Sequence, residues 1–359
     1  MSWLSVKKYE ARSWIPKQIV TAEQYEQSRE SLEIAKLVAR KTNPAIWGND
    51  ERGPAAGFCG AVSAACRTHA FRGRTGKLRK LREPTDELKL IQHVIGLILT
   101  RIIAGSRKNQ RSLSSYLHGF LPRRGILTGA APHIGKAYIV KMDIKNYFES
   151  ITRRTLVAAM SAGSRYGYVF PEWLKTAAVD YCFYKEPTAK TEAYPALGMP
   201  SSPSIANIVS TFLIVPPIIK LLQTGGLPGA PDTAFTMYAD DMTFSSTDLK
   251  VVKVIRIIPT ILRRYGLKIN EKKTKILGKE SSQLVCGVVV NDKLAAPRSY
   301  RRALRKNMHH LKREVELGIG DPGSINVSVL RGQVAHVEHI NASQAQPLKK
   351  QLEVLEDFL

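Results

Sequence analysis

The sequence predicts an α+β protein, and three observations carry that expectation. Around Phe235 to Ser245, apolar residues alternate up to Tyr238 and again from Met242, which reads as a β-hairpin with Asp240 and Asp241 at its tip. Ala137 to Met142 is a short apolar strand that ends in a third acid, Asp143. Elsewhere apolar residues recur at helical spacing, as in Leu88, Ile91, Ile95, Ile98 and Ile102, or Val252, Ile255, Ile258 and Leu262.

Adjacent carboxylates repel, so the Asp240-Asp241 pair is costly unless a cation sits beside it, and oxygen-only ligands suit Mg²⁺. An acid from each strand element, brought together, would hold two Mg²⁺ ions about 3.5–4 Å apart, as in-line phosphoryl transfer requires. Taken alone, the same dipeptide would serve equally well as an ordinary turn. The rest of the chain decides between the two.

Composition narrows the partners. Lys and Arg number 54 against 30 Asp and Glu, a net charge of +24, and nucleic acid is the simplest polyanion for such a field. A hydrophobic share of 44% excludes global disorder. Cys59, Cys66, Cys182 and Cys286 show no zinc-type spacing, so reduced thiols in a cytoplasmic protein are expected. The N-terminal residues lack the apolar run of a signal peptide. The most apolar run, Val94 to Ile103, is too short to span a bilayer and contains Arg101, so no membrane partner is expected.

In chain order, residues 1–65 form an extension with a helix over Ala22 to Ala39 and an irregular connector from Asn43 to Gly60. Arg67 to Arg82 is densely basic and broken by Gly73 and Gly76, a hairpin whose cations suit a phosphate backbone or an incoming triphosphate. On charge alone a solvated face fits as well. Asp86 is placed at the cap of the helix that follows and ends near Gly105. Two histidines, His118 and His133, fall in loops ahead of the Asp143 strand, where either would by itself be an ordinary satisfied loop residue. Phe148, five residues past Asp143, is placed either under the sugar of a nucleotide, where it would exclude a 2′-hydroxyl, or in the core. Gly198 would let the backbone approach a base pair closely, and Pro200 stiffens the same turn. Ser202 and Pro203 then start a helix through Ile205, Ile208 and Phe212.

Past the acidic hairpin, Ser246 or Thr247 is expected to cap a helix closed by Gly266, and Lys273 is available to assist a pyrophosphate leaving group. Leu284 to Lys293 reads as a further hairpin turning at Asn291-Asp292. From Arg298 the chain is helical and basic, with Arg305 among the cations suited to a duplex.

The order of these parts resembles a reverse transcriptase. The strand ending in Asp143, the Gly-x-Pro-x-Ser-Pro of Gly198 to Pro203, Tyr-Ala-Asp-Asp at Tyr238 to Asp241, Asn-x-x-Lys-Thr at Asn270 to Thr274, and a Gly-containing hairpin at Gly287 follow the family's sequence and spacing over about residues 67 to 340. The resemblance implies a right-hand polymerase with fingers, a ferredoxin-like palm and a helical thumb. Its parts would be an N-terminal extension at 1–65, fingers at 66–136, a palm at 137–296 with fingers-side helices inserted at about 151–195, and a thumb at 297–359. Asp143 and Asp240 would hold the two Mg²⁺ ions with Asp241 in support, while Lys77 and Arg79 would neutralise the triphosphate of a dNTP.

Within the family the chain is most similar to the retron type of bacteria, through Gly76 to Arg79, His118-Gly119-Phe120, the segment Ile126 to Lys136 around His133, Val285-Cys286-Gly287, and Leu330 to His336. Gly129, Cys286 and Leu197 depart from the residues usual there. The retron likeness implies a structured non-coding RNA as template and primer, contacts to it from His118, His133, Val285, Cys286 and Gly287, an RNA–DNA hybrid product with a 2′-linked branch, and a separate effector protein in antiphage defence. No maturase, endonuclease or RNase H domain is expected in the remaining chain. Two alternatives stand beside this reading. One is a defence-associated reverse transcriptase of another type, with different priming. The other is an RNA-binding scaffold that keeps the fold without the chemistry.

Overall fold

The computed structural model describes residues 22–42, 62–73, 76, 78–104, 113–187, 192–223, 232–319 and 327–357. The expected connector at 43–60, Cys59, Lys77 and Gly105 lie outside the described residues.

Helix α1 (Ala22–Thr42) packs Leu32 and Ala35 into the main core beside α2 (Asp86–Ala104). Between them, β1 (Cys66–Arg72) and β2 (Leu78–Pro84) form an antiparallel ladder from Cys66↔Pro84 to Arg72↔Leu78. The outer end of this hairpin is exposed, and its root is pinned by a buried arginine. Arg82 donates to Thr68 and to the Glu186 carboxylate, and its guanidinium lies 4.6 Å from the centre of the Tyr184 ring. A guanidinium removed from water needs such partners, since an unpaired buried charge is very costly. Helix α2 buries Leu88, Ile91, Ile95, Ile98 and Ile102, the stripe read from the sequence. It begins one residue earlier than expected, with the Thr85 carbonyl accepting from Lys89 N–H at 2.8 Å, so Thr85 and not Asp86 stands at the cap.

Short helix α3 (Ile126–Ala130) and the turn Ala131–His133 lead into β3 (Tyr138–Asp143). Helices α4 (Arg153–Gly163), α5 (Glu172–Tyr181) and α6 (Ser202–Gln223) follow. Helix α6 is long and apolar enough to cross a membrane, more so than the Val94 to Ile103 run, yet 67% of its most apolar window is buried inside the protein, as in a core helix. A π turn at Ser210–Ile214 precedes Pro216 and Pro217, whose missing N–H groups cannot close ordinary helical bonds. Ser201, not Ser202, stands at its cap position, while the Ser202 hydroxyl donates to the Ala196 carbonyl at 2.7 Å and fastens the preceding turn.

Next come β4 (Ala234–Tyr238), β5 (Asp241–Ser246), α7 (Val254–Arg263) and β6 (Lys275–Gly278). Asp248, rather than Ser246 or Thr247, caps the turn ahead of α7 by accepting from Lys250 N–H, because Ser246 ends β5 with its hydroxyl given to Asp232. The expected stop at Gly266 is present, with φ of 75°. Strands β7 (Leu284–Val285) and β8 (Val288–Val289) turn at Cys286 and Gly287, with φ of 50° and 82°. The turn is therefore five residues ahead of the expected one. Asn291 serves a second reversal that returns the chain to a bridge between Val289 and Ala295. Helices α8 (Arg298–Glu316), α9 (Val327–Ile340) and α10 (Ala342–Glu356) end the fold.

The four-stranded antiparallel sheet has the order β4-β5-β3-β6. With helices between β3 and β4 and again between β5 and β6, this is the split βαβ plan of a ferredoxin-like unit. Alternation sorts its faces. Val140, Met142, Phe235, Met237, Met242 and Phe244 enter the core shared with α2, α4, α6 and α7. Ile139 points the other way, into a second core with Val285, Val288, Leu304 and Val334. Asp143 and Asp241 fall on that second face by the same period of two.

Candidate active site

The three acids meet because two strands end together. In the β3–β5 ladder Asp143 pairs with Asp241, and in the β4–β5 hairpin Tyr238 pairs with Asp241, leaving Ala239 and Asp240 as the turn. Ala239 has φ of 54°, a left-handed conformation that costs an alanine energy and persists only where the surroundings impose it. Those surroundings are visible. Ile144 N–H donates to the Asp240 carbonyl at 3.1 Å, and His118 N–H donates to the Met237 carbonyl at 2.8 Å. Gly119 passes so close that a Cβ there would lie 2.9 Å from Ala239 N.

Asp143 is buried and held from the other side. Asn270 N–H donates to its carbonyl at 2.8 Å, Asn270 Nδ2 to Oδ2 at 3.3 Å, and Lys273 Nζ to Oδ1 at 2.7 Å. Burial raises the Asp240 carboxyl above its ordinary range, reinforced by the charges of Asp143 and Asp241. Burial likewise raises Asp241, with Asp143 adding to it and Lys141 opposing. The hydrogen bond to Asp143 raises the Lys273 ammonium. The corner thus concentrates negative charge where solvation is poor, and two lysines offset part of it.

Lys141 was not singled out in the sequence, although its place two residues before Asp143 puts it on the same face of β3. Nothing in the local sequence marks Tyr147 either. Its buried hydroxyl donates to the Ala206 carbonyl at 2.9 Å and lies 2.6 Å from Ser210 Oγ, and burial pushes its pKa upward. That anchor fixes the single helical turn Tyr147–Ser150 and so the partly buried Phe148 ring, whose centre is 6.1 Å from that of Tyr147.

The other expected site residues fall into three groups. Arg79 is exposed on β2, directly opposite Phe71. Gly198 has φ of 101°, and a Cβ there would lie 2.6 Å from the Arg82 carbonyl, while Pro200 is half-buried two residues on. The hairpin and the Gly198 turn are joined by Arg82 N–H donating to Leu197 O at 2.8 Å.

Cys286 and Gly287 form the β7–β8 turn beside the acids. Burial pushes the Cys286 thiol up to about 11, with Lys141 and Asp241 among the charges acting on it. Gly287 is exposed and Val285 is fully buried. Arg305 is exposed on α8, remote in sequence from the acids.

The two histidines differ from expectation. His118 is 8% exposed, with Nδ1 at 3.0 Å from Thr128 Oγ1, and burial lowers its pKa to about 4. His133 is 0% exposed and hydrogen-bonded at both nitrogens inside the protein, so it offers no atom to a docked RNA in this conformation. The His133 position is interior because its loop packs against β4 and β5, where Thr236 and Ser245 meet the ring.

Residues 69–290 match the reverse transcriptase (RNA-dependent DNA polymerase) family, and the chain belongs to it. Within that family its similarity is to the retron type. It is 28% identical over 295 residues to the retron Mx65 reverse transcriptase of Myxococcus xanthus, covering 79% of this chain and 63% of that enzyme. It is 29% identical over 242 residues to the retron Ec86 reverse transcriptase of Escherichia coli, covering 67% of each. The chain therefore spans less than two-thirds of the Mx65 enzyme's length. Among solved structures, telomerase from Candida albicans in complex with a TWJ fragment of telomeric RNA overlays with a TM-score of 0.48 at 12% identity, over 82% of this chain and 59% of that one.

Membership makes the architecture that of a right-hand polymerase, and reverse transcriptases generally use divalent metal ions. The chemistry of the donor set fits such an ion: three carboxylates lie at adjoining strand ends, where burial and mutual repulsion already oppose negative charge. Among the described residues no three His, Cys, Asp or Glu side chains converge at ligand distance, Asp143 being drawn to Lys273 and Asn270 instead.

Proposed function

We propose that this chain is an RNA-directed DNA polymerase that copies part of a structured non-coding RNA into a short DNA. Priming starts from a 2′-hydroxyl of the same RNA, so the product is a branched RNA–DNA hybrid, and a separate effector protein completes a system of antiphage defence. The observation that carries the polymerase reading is the meeting of Asp143, Asp240 and Asp241 at adjoining strand ends, in a chain of this family. The similarity to the Mx65 and Ec86 retron enzymes supports the choice of template and priming.

Asp143, Asp240 and Asp241 would hold two Mg²⁺ ions, which supply Lewis acidity at the attacking hydroxyl and charge neutralisation at the pyrophosphate. In the reaction the hydroxyl gives its proton to solvent, its oxygen bonds to the α-phosphorus of a dNTP, the bond to the bridging oxygen breaks, and pyrophosphate leaves. Lys273 exchanges Asp143 for the departing phosphates, a reading supported by its side chain being 60% exposed while bonded to that acid. Arg79, with Lys77, neutralises the triphosphate from the basic hairpin. Phe148, fixed through Tyr147, excludes a 2′-hydroxyl by bulk. Gly198 lets the backbone lie against the template pair, and Cys286-Gly287 together with Arg305 steady the duplex.

The test is to express the chain with its flanking genomic sequence and sequence the nucleic acid that copurifies. A short DNA joined to RNA through a 2′–5′ branch is the expected result. Linear DNA alone would contradict retron-type priming and favour another defence-associated reverse transcriptase. Bound RNA with no DNA product would favour the inactive scaffold.

A further inference from the structure

His133 was expected at the RNA, and its side chain is instead buried against β4 and β5. We propose that His133 is a positioning residue, a neutral imidazole protonated at Nε2 that struts β4 against β5 and so sets the placement of Asp240 and Asp241. This rests on the reading of those acids as the metal-holding groups.

The geometry is closed and directional. His133 Nδ1 lies 2.6 Å from Ser245 Oγ on β5, and Nε2 lies 2.7 Å from Thr236 Oγ1 on β4. Thr236 Oγ1 in turn donates to the Gly129 carbonyl at 3.0 Å. A carbonyl can only accept, so the one hydroxyl proton of Thr236 is committed there, and its oxygen accepts from Nε2–H. Nδ1 is then left with its lone pair and accepts from the Ser245 hydroxyl. The relay runs Ser245 to His133 to Thr236 to Gly129 with every proton assigned. Burial, reinforced by His118 and Lys136, lowers the His133 pKa to about 3, which agrees with a neutral ring. Lys136 is itself paired with Asp232 at 2.9 Å.

The strut acts where the hairpin is least secure. The β4–β5 ladder has only the pairs from Ala234↔Ser245 to Tyr238↔Asp241, and β4 is the outer strand of the sheet. Its turn carries the strained Ala239. Ser245 lies on the same face of β5 as Asp241, four residues away, so rotation of that strand about its axis moves both together. A cross-strand tie between side chains fixes the local twist, which backbone pairing alone leaves soft.

Two measurements on the whole chain test this. Two-bond proton–nitrogen correlation spectra of histidine-labelled protein, without metal or substrate, should show His133 with Nδ1 unprotonated and Nε2 protonated, unchanged from pH 5.5 to pH 8. A ring protonated at Nδ1, or one titrating near its ordinary pKa of about 6.5, would overturn the assignment. Ser245→Ala and His133→Gln each cut one end of the strut and are milder than His133→Ala. Each should raise the Mg²⁺ concentration needed for half-maximal incorporation, and lower kcat, by about tenfold, with KM for dNTP unmoved. The same Mg²⁺ shift should appear in the metal-dependent rise of melting temperature, which needs no reaction. Variants that melt earlier but keep the wild-type Mg²⁺ midpoint and kcat would make His133 a packing residue only. A wild-type chain that binds Mg²⁺ but never polymerises would sink the functional reading and leave the strut standing.

Discussion

Asp143 stands directly opposite Asp241 on the β3–β5 ladder, and the Lys273 ammonium enters the same corner 2.7 Å from the Asp143 carboxylate. Sheet register fixes the first relationship, so it survives any loop motion that leaves the strands paired. The second is a single exposed side chain, and it is exchangeable. The raised pKa of Lys273 means that its contribution to stability is fully present below its unfolded value and is lost only as pH climbs through the folded one, far above neutrality. Lys273→Met should therefore lower the melting temperature of the metal-free protein at pH 7 more than that of the Mg²⁺-loaded protein. An equal drop in both would mean that the ammonium does not share its place with the metal.

Asp240 and Asp241 give the opposite sign. Their folded pKa values are raised by burial and by neighbouring acids, so the folded state holds protons that the unfolded state has lost. The contribution of these two acids to metal-free stability should fall as pH rises from about 4, seen as the difference between the wild type and Asp240→Asn. Asp240→Asn removes one of the mutually repelling charges. It should raise the metal-free melting temperature by about 2 °C and abolish the further rise that Mg²⁺ gives the wild type. A variant that melts earlier without metal would show that the acid is satisfied as it stands.

Phe148 sits on a turn anchored through the Tyr147 hydroxyl, so truncating its ring opens space without moving the backbone. Phe148→Ala should raise rNTP use relative to dNTP by about tenfold or more, a loss of roughly 1–3 kcal/mol of discrimination. An unchanged ratio in a single-nucleotide assay would return the ring to a packing role.

Gly198 is required for two reasons at once. Its φ of 101° disfavours any side chain, and an added Cβ would lie 2.6 Å from the Arg82 carbonyl. Gly198→Ala should cost about 1–3 kcal/mol in thermal or denaturant unfolding. It should also loosen the basic hairpin, seen as faster proteolysis near Arg79. Wild-type stability would show that this turn relaxes freely.

The parts legible in the sequence were those written in local period. The acidic hairpin, the strand ending at Asp143 and the apolar stripe of α2 all follow from spacing of two or of three and four. Turn chemistry misled where two signals competed. Asn291-Asp292 looked the better turn, but Cys286 and Gly287 both take positive φ and close β7 onto β8 first. Helix caps shifted by a residue at Thr85 and Ser201, as helix ends commonly do. What could not be read was partnership across distance. Ser245 and Thr236 lie more than 100 residues from His133, and Arg82 lies 104 residues from Glu186. Thr236 and Ser245 fall on the polar side of the hairpin's alternation, which reads as a solvated face although both are buried.

The central claim is that the acids at the β3, β4 and β5 ends perform RNA-templated DNA synthesis. Its most direct test is incorporation of dNTPs by the purified chain on a primed RNA template, with and without Mg²⁺, beside Asp143→Asn and Asp240→Asn. The account predicts Mg²⁺-dependent extension by the wild type. It predicts a loss of at least about 10²–10³-fold in both variants, with RNA binding retained. Extension at near wild-type rates by either variant would contradict it.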